Sequence, residues 1–296
     1  MIHLNFKQKI TMRILSGILL ALFFGGTFSV SAQKSTIYNS NLKDFETAVS
    51  LYNSGQYASA RFVLDRLKTN SLSQEIQADC LYYTALCAIR ERQPNAGSWM
   101  ERFVSNYPTS TKKNQGYVEL GHFYFQQGDY EKALMGYEKV DEMYLAVTES
   151  EKYNFQKGYS LFVAKNKKQA SVYLNKVLST STYGSQAKYY LGFMAYEGDD
   201  YKQANQYFES VSDESKYKER MSYYQSDMNF KLGNFQKAID LGIVAMAKST
   251  LAEQSELNKI IGESYFNLKE YAKAVTYLEG YKGKNGKWTN TDYYQL

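Results

Sequence analysis

The chain has 296 residues, 44% hydrophobic and 22% charged, with a formal net charge of +5. Three basic residues, Lys7, Lys9 and Arg13, lie in a leader without acidic residues; beyond it 32 basic residues face 30 acidic ones, a charge of +2. That balance excludes the strong basic footprint of a nucleic-acid binder, and two prolines exclude a linker-rich chain.

Residues 1–32 read as a secretory signal peptide. The three basic residues form its n-region and Ile14 to Phe24 an apolar run. Val30-Ser31-Ala32 then supplies small residues for cleavage after Ala32, leaving Gln33 as the new N-terminus. The run is short against the roughly 20 apolar residues of a bilayer span, and no cysteine stands at its end for lipid attachment. The expectation is an exported protein, periplasmic or associated with an outer membrane, with no membrane span of its own after cleavage.

A polar lead-in, 33–41, precedes a series of helical hairpins. In the first, Leu42 to Tyr52 forms a helix, Ser54-Gly55-Gln56-Tyr57 turns the chain, and Ala60, Leu64 and Leu67 recur at i, i+4, i+7. In the second, Cys80, Tyr83, Thr84 and Cys87 share a helix, Pro94 opens its partner and Pro108 closes the unit. Seven residues of helix separate the cysteines by about 10 Å, too far for a disulfide, so both read as small core residues.

The third hairpin, Tyr117 to Val140, is the fullest: small Gly121 faces small Ala133, and Gly128 lets the backbone leave the first helix. In the fourth, Gly158 is paired with Ala170, and the turn 164–168 lacks a glycine. The fifth carries Leu191-Gly192, Tyr201 and Ala204. The sixth carries Ser226, Gly233 and Ala238, with Gly242 where a large residue is expected, so looser packing is anticipated there. The seventh carries Ile261-Gly262, Tyr271 and Ala274. The alanines at 60, 96, 133, 170, 204, 238 and 274 are spaced by 34 to 37 residues.

This pattern resembles the tetratricopeptide repeat (TPR), a helix–turn–helix unit of about 34 residues. The resemblance implies an all-α superhelical solenoid of about seven antiparallel helix pairs over 42–287. Residues 288–296 start a partial eighth, because Tyr293 and Leu296 match the opening of another first helix. On that reading the chain is the front of a longer repeat protein.

Signals for chemistry are few. His3 and His122 are the two histidines, and His3 leaves with the leader. His122 reads as a half-exposed groove residue. Gly280 to Lys287 has five residues between its outer glycines and Trp288 where a phosphate loop needs Ser or Thr, so it reads as an inter-repeat loop. No catalytic residue, cofactor site or metal site is expected.

What the resemblance leaves is a surface: first helices line the concave face of such a repeat. The rings it would present are Phe125, Phe155, Tyr159, Phe162, Tyr189, Phe193, Tyr196, Tyr223, Phe230 and Phe266. Among them stand Gln115, His122, Gln126, Lys152, Gln186, Arg220, Asp227, Lys231, Glu256, Lys259 and Glu263, a mixed polar set. Aromatic anchors flanked by polar groups suit partner recognition; the competing reading is packing between hairpins. The implied function is a non-catalytic scaffold of the bacterial cell envelope that binds a protein or peptide partner in its groove. The alternatives are glycan binding by the rings, or positioning of an enzyme domain beyond residue 296.

Overall fold

The computed structural model describes residues 40–67, 73–211 and 217–283, together with 287, 289 and 293. The leader, residues 33–39 of the lead-in and nearly all of the partial eighth repeat therefore lie outside the described residues, while 40 and 41 already belong to the first helix. Among the described residues fourteen α-helices follow one another. They are α1 (40–53), α2 (Tyr57–Leu67), α3 (Gln74–Arg90), α4 (Ala96–Asn106), α5 (Lys113–Gln126), α6 (Tyr130–Tyr137) and α7 (Val147–Val163). After them come α8 (Lys167–Asn175), α9 (Gly184–Tyr196), α10 (Tyr201–Glu209), α11 (Lys218–Lys231), α12 (Phe235–Met246), α13 (Leu251–Asn267) and α14 (Tyr271–Leu278). A short 3-10 turn, Glu142–Tyr144, links α6 to α7.

The helices form two compact units, one ending at Phe123 and the other beginning at Tyr124. In the first unit, Ala48, Leu64, Leu67, Ile76 and Cys80 from α1, α2 and α3 share one core. The second unit is a stack in which α7, α9, α11 and α13 each pack on their own hairpin partner, on the helix that precedes them, and on one another in sequence. This is the antiparallel helix-pair solenoid that the repeat spacing predicts. All seven periodic alanines are at most 1% exposed. Cys80 and Cys87 are fully buried free thiols, and burial, reinforced by the Glu91 carboxylate, pushes Cys87 up to about 11.

The small residues of the first helices work as seats for a large residue of the second. A Cβ on Gly158 would lie 2.9 Å from Leu174 Cγ and 3.1 Å from its backbone nitrogen. Leu174 fills that seat. A Cβ on Gly192 would lie 2.5 Å from Cε1 of Phe208. Gly242 corrects the expectation of loose packing. It is buried, and a Cβ there would meet Ile261 Cγ1 and Ser226 Oγ at 2.8 Å, because Ile261 of the following hairpin fills the space that a large residue would have taken.

One backbone device closes every hairpin. The nitrogens of Gln56, Gln93, Asp129, Asn166, Asp200, Asn234 and Glu270 each donate to the carbonyl five residues back, at 2.8–3.0 Å. The residue before each of them is left-handed: Gly55, Arg92, Gly128, Lys165, Asp199, Gly233 and Lys269, with φ between 56° and 78°. The fourth turn thus keeps the common geometry without glycine, Lys165 taking φ 61°. Pro94 does not open α4; it stands in the turn two residues before Ala96. In five of these hairpins a ring at the end of the first helix meets a ring at the start of the second, as in Tyr52–Tyr57 and Phe125–Tyr130, both at 5.5 Å. Tyr196–Tyr201, Phe230–Phe235 and Phe266–Tyr271 repeat this clasp at 5.4–6.0 Å.

Candidate partner-binding face

In the second unit, the residue after each seat is turned about 100° around the first helix, away from the helix's own partner. That position holds Tyr159, Phe193, Asp227 and Glu263 in turn, following Gly158, Gly192, Ser226 and Gly262. One helical turn further stand Phe162, Tyr196, Phe230 and Phe266.

The rings make contact from one hairpin to the next. Phe125 and Tyr130 pack edge-on against Tyr159 at 5.7 and 5.3 Å. Tyr159 and Phe162 both reach Tyr190, at 4.9 and 5.2 Å, and Phe162 reaches Phe193 at 6.0 Å. Phe193 and Tyr196 then meet Tyr224 at 5.4 and 5.3 Å. The chain of rings therefore runs unbroken from Phe125 to Tyr224, with Tyr190 and Tyr224 as the joints. Neither joint is among the residues selected from sequence; the signal available was their shared place two residues before the seat.

Of the ten selected rings, Phe125, Tyr159, Phe162, Phe193, Tyr196, Tyr223, Phe230 and Phe266 are half-buried. Phe155 and Tyr189 are 6% and 8% exposed and belong to the core. Phe155 stacks on Tyr183 at 4.8 Å, and Tyr189 lies 4.9 Å from Tyr217. Phe230 and Phe266 take part in their turn clasps. His122, 3% exposed, is buried rather than half-exposed because it lies in the packed layer of α5.

The polar groups of this face become acidic toward α13. Tyr196 donates its hydroxyl to Asp227 at 2.6 Å, and Lys231 reaches the same carboxylate oxygen at 2.8 Å while lying 4.6 Å from the Tyr201 ring. Burial works against the Lys231 charge, but Asp227 and Tyr201 outweigh it and the lysine pKa rises. Burial, then Asp227, raises the Tyr196 phenol. Lys259 and Glu263 approach at 3.8 Å. A cleft of about 420 Å³ is lined by residues of α9, α11 and the α12–α13 junction, among them Tyr189, Tyr223, Tyr224, Lys248 and Glu253.

A second charged assembly was invisible in the sequence. Glu142, in the 3-10 turn, receives Lys176 Nζ at 2.7 Å, the Tyr173 hydroxyl at 3.0 Å and the Tyr153 hydroxyl at 3.2 Å. Lys157, itself buried, donates to Tyr153 at 2.7 Å and sits 4.3 Å from the Tyr173 ring. Burial lowers the Lys157 pKa; burial also raises Glu142, but the Lys176 and Tyr173 hydrogen bonds prevail and hold its carboxyl below the usual range. In the first unit Arg90 grips Glu119 with two hydrogen bonds of 3.0 and 2.7 Å. All of these groups are mutually satisfied structural pairs. Among the described residues no group of three or more His, Cys, Asp or Glu side chains is placed to hold a metal ion. No described helix is long and apolar enough to cross a membrane.

Residues 115–146 and 186–214 each match a family model of the tetratricopeptide repeat. A search of curated proteins returns no match. Among solved structures, MamA of AMB-1 is similar over 60% of this chain and 95% of its own, with 16% identity and a TM-score of 0.50. The C-terminal part of a TPR repeat-containing protein from Cytophaga hutchinsonii is similar over 85% of this chain and 99% of its own, with 18% identity and a TM-score of 0.51. At these identities the likeness is one of fold.

Proposed function

We propose that this chain, whose hairpins are of the tetratricopeptide-repeat type, is a non-catalytic scaffold that binds a segment of a protein partner along the first-helix face of α7, α9, α11 and α13. The observation that carries this reading is the half-buried state of Tyr159, Phe162, Phe193, Tyr196 and Tyr223. Each ring is fixed on one side by a neighbouring ring and keeps some surface toward solvent. Rings immobilised before binding lose little entropy on contact, and aromatic anchors of this kind dominate interface energies. The leader adds location: the scaffold is exported, loses residues 1–32 and works in the cell envelope. Mass analysis of the protein recovered from its producing cell tests that part, with Gln33 as the expected first residue.

The groove is tested by capture from solubilised envelope with the tagged full-length protein. Two variants serve as baits beside it, Phe193→Ala with Tyr223→Ala on the first-helix face, and Met135→Ala with Val172→Ala. Met135 and Val172 lie on second helices and are 59% and 55% exposed. With helicity retained in both, the first pair loses the captured set and the second keeps it. Loss with the second pair alone moves the binding face to the second helices and overturns the proposal.

A further inference from the structure

The link between α6 and α7 gathers three exposed apolar side chains within five residues. Met143, Tyr144 and Val147 are 87%, 74% and 80% exposed. They do not stand on a loose loop. The Asp141 carboxylate accepts from the Met143 backbone nitrogen at 3.1 Å, and the Leu145 nitrogen donates to the Glu142 carbonyl at 3.3 Å. The Glu142 carboxylate is held by Lys176, Tyr173 and Tyr153 at 2.7, 3.0 and 3.2 Å. The turn is thus fixed from below while its apolar side chains stand in water. Apolar surface grouped on a preordered turn marks an interaction site, and little ordering remains to be done on binding.

The charges around the turn select among occupants. Residues 138–151 carry five carboxylates, Glu138, Asp141, Glu142, Glu149 and Glu151, against the one ammonium of Lys139; Lys176 and Lys157 oppose Glu142. The remaining excess repels an anionic membrane surface and favours a protein surface with basic groups at its rim. The chain itself offers one. A cleft of about 360 Å³ between α8, α9 and α10 is lined by Lys167 and Lys168, by the polar Ser171 and Asn175, and by the buried Leu191 and Met194; no carboxylate lines it. Glu197 engages Lys167 at 3.1 Å, while Lys168 and the neighbouring Lys165 have no ion-pair partner among the described residues. The carboxylates of the following turn are occupied, Asp199 by the Tyr201 hydroxyl and Asp200 by the Gln203 nitrogen. The cleft at the α12–α13 junction, where Glu253 balances Lys248, has no such bias. Apolar at its base and polar at its sides, the α8–α10 cleft suits an amphipathic ring such as Tyr144 beside Met143, and its volume lies within the range of about 300–1,000 Å³ typical of binding sites. Within one copy the turn is tied to Lys176, about 13 Å along α8 from Lys167, so the cleft is left to a second copy.

We propose that the Met143–Tyr144 turn of one copy docks into the α8–α9–α10 cleft of a second copy, with the carboxylates beside the turn facing Lys165 and Lys168. The chain then self-associates through two unlike surfaces, both of which every copy carries. The contact does not use the rings of the first-helix face and stands apart from the function proposed above.

Sedimentation velocity of the intact protein over a series of concentrations tests it, with two variants beside the parent. Met143→Ser with Tyr144→Ser strips the turn; Lys168→Glu with Ser171→Trp reverses the charge of the cleft and fills it. None of these four side chains is buried, so both variants are expected to fold, as helical circular dichroism checks. The parent is expected to associate, less so at high salt. Each variant is expected to raise the dissociation constant at least about tenfold, the scale of losing one interface hot spot. The turn variant keeps its cleft and the cleft variant keeps its turn, so an equimolar mixture of the two is expected to regain association that neither shows alone. A monomeric parent, a turn variant that associates like the parent, or a mixture that regains nothing overturns the assignment. Flotation with phosphatidylglycerol vesicles separates the other occupants. Vesicle binding by a monomeric parent, lost with Met143 and Tyr144, gives the turn to a membrane; a monomeric parent that ignores vesicles gives it to a different protein. Either result overturns the proposal.

Discussion

Replacing Gly192 by alanine isolates the seat on which each hairpin closes. The new Cβ would lie 2.5 and 2.6 Å from Cε1 and Cδ1 of Phe208 and 3.2 Å from its Cζ. Carbon atoms rest at about 3.5–4.0 Å, so ring and methyl must part by about 1 Å. Phe208 is 1% exposed and packed among Tyr189, Ala204 and Met221, so the ring has no open side to move into. Overpacking of this kind costs about 1–3 kcal/mol. Alanine returns up to about 1 kcal/mol through its better helix propensity. The net loss is about 1–2 kcal/mol, read from urea unfolding followed by far-ultraviolet circular dichroism. Phe208→Leu removes the clashing ring edge, so the double variant should lose at least about 1 kcal/mol less than the two single losses combined. An unchanged or raised midpoint for Gly192→Ala, or strict additivity with Phe208→Leu, refutes the seat.

Lys165→Gly should stabilise the fourth hairpin. Leaving the left-handed region to glycine relieves about 1–2 kcal/mol of strain against about 0.5–1 kcal/mol of added chain entropy; a lower thermal midpoint contradicts the turn geometry. Stability should also fall as pH rises above about 10, where the phenols of an unfolded chain ionise. Burial holds Tyr153, Tyr190 and Tyr196 above that value, and Tyr173 and Tyr223 at about 12, so the folded state keeps protons that the unfolded state releases. Tyrosinate absorbance from these residues should then appear together with the loss of helicity; smooth ionisation near pH 10 with helices intact rejects it. At the acid end, the depressed Glu142 carboxyl contributes stability above its unfolded value of about 4.5, lost as pH falls through the folded value. Glu142→Gln should flatten that part of the pH–stability curve, and an unchanged curve removes Glu142 from the account.

The repeat was readable because its tightest requirement is local. A residue with almost no room, such as Ala60 or Ala204, recurs at a near-constant step whatever surrounds it. Exposure of the rings was not readable, because it depends on how far each hairpin turns against the next. Phe155 and Phe162 share α7, yet the first is core and the second half-exposed. Gly242 misled because a vacancy on one helix is filled from another, by Ile261. The Glu142 assembly joins a 3-10 turn to Lys176, 34 residues on, with no periodic mark to announce it. The fourth turn misled in a smaller way: the left-handed residue is imposed by the closing hydrogen bond, so Lys165 serves where a glycine was missed.

Two kinds of coupling in the second unit are carried by different residues. Leu174, Phe208 and Leu278 lock the helices of one hairpin to each other through glycine, while Tyr190 and Tyr224 link one hairpin to the next through ring edges. Substitutions at the joints can therefore reset the angle between successive hairpins while each hairpin keeps its own closure. Such a chain can be retuned toward a differently shaped partner one joint at a time, with the hairpins inherited intact.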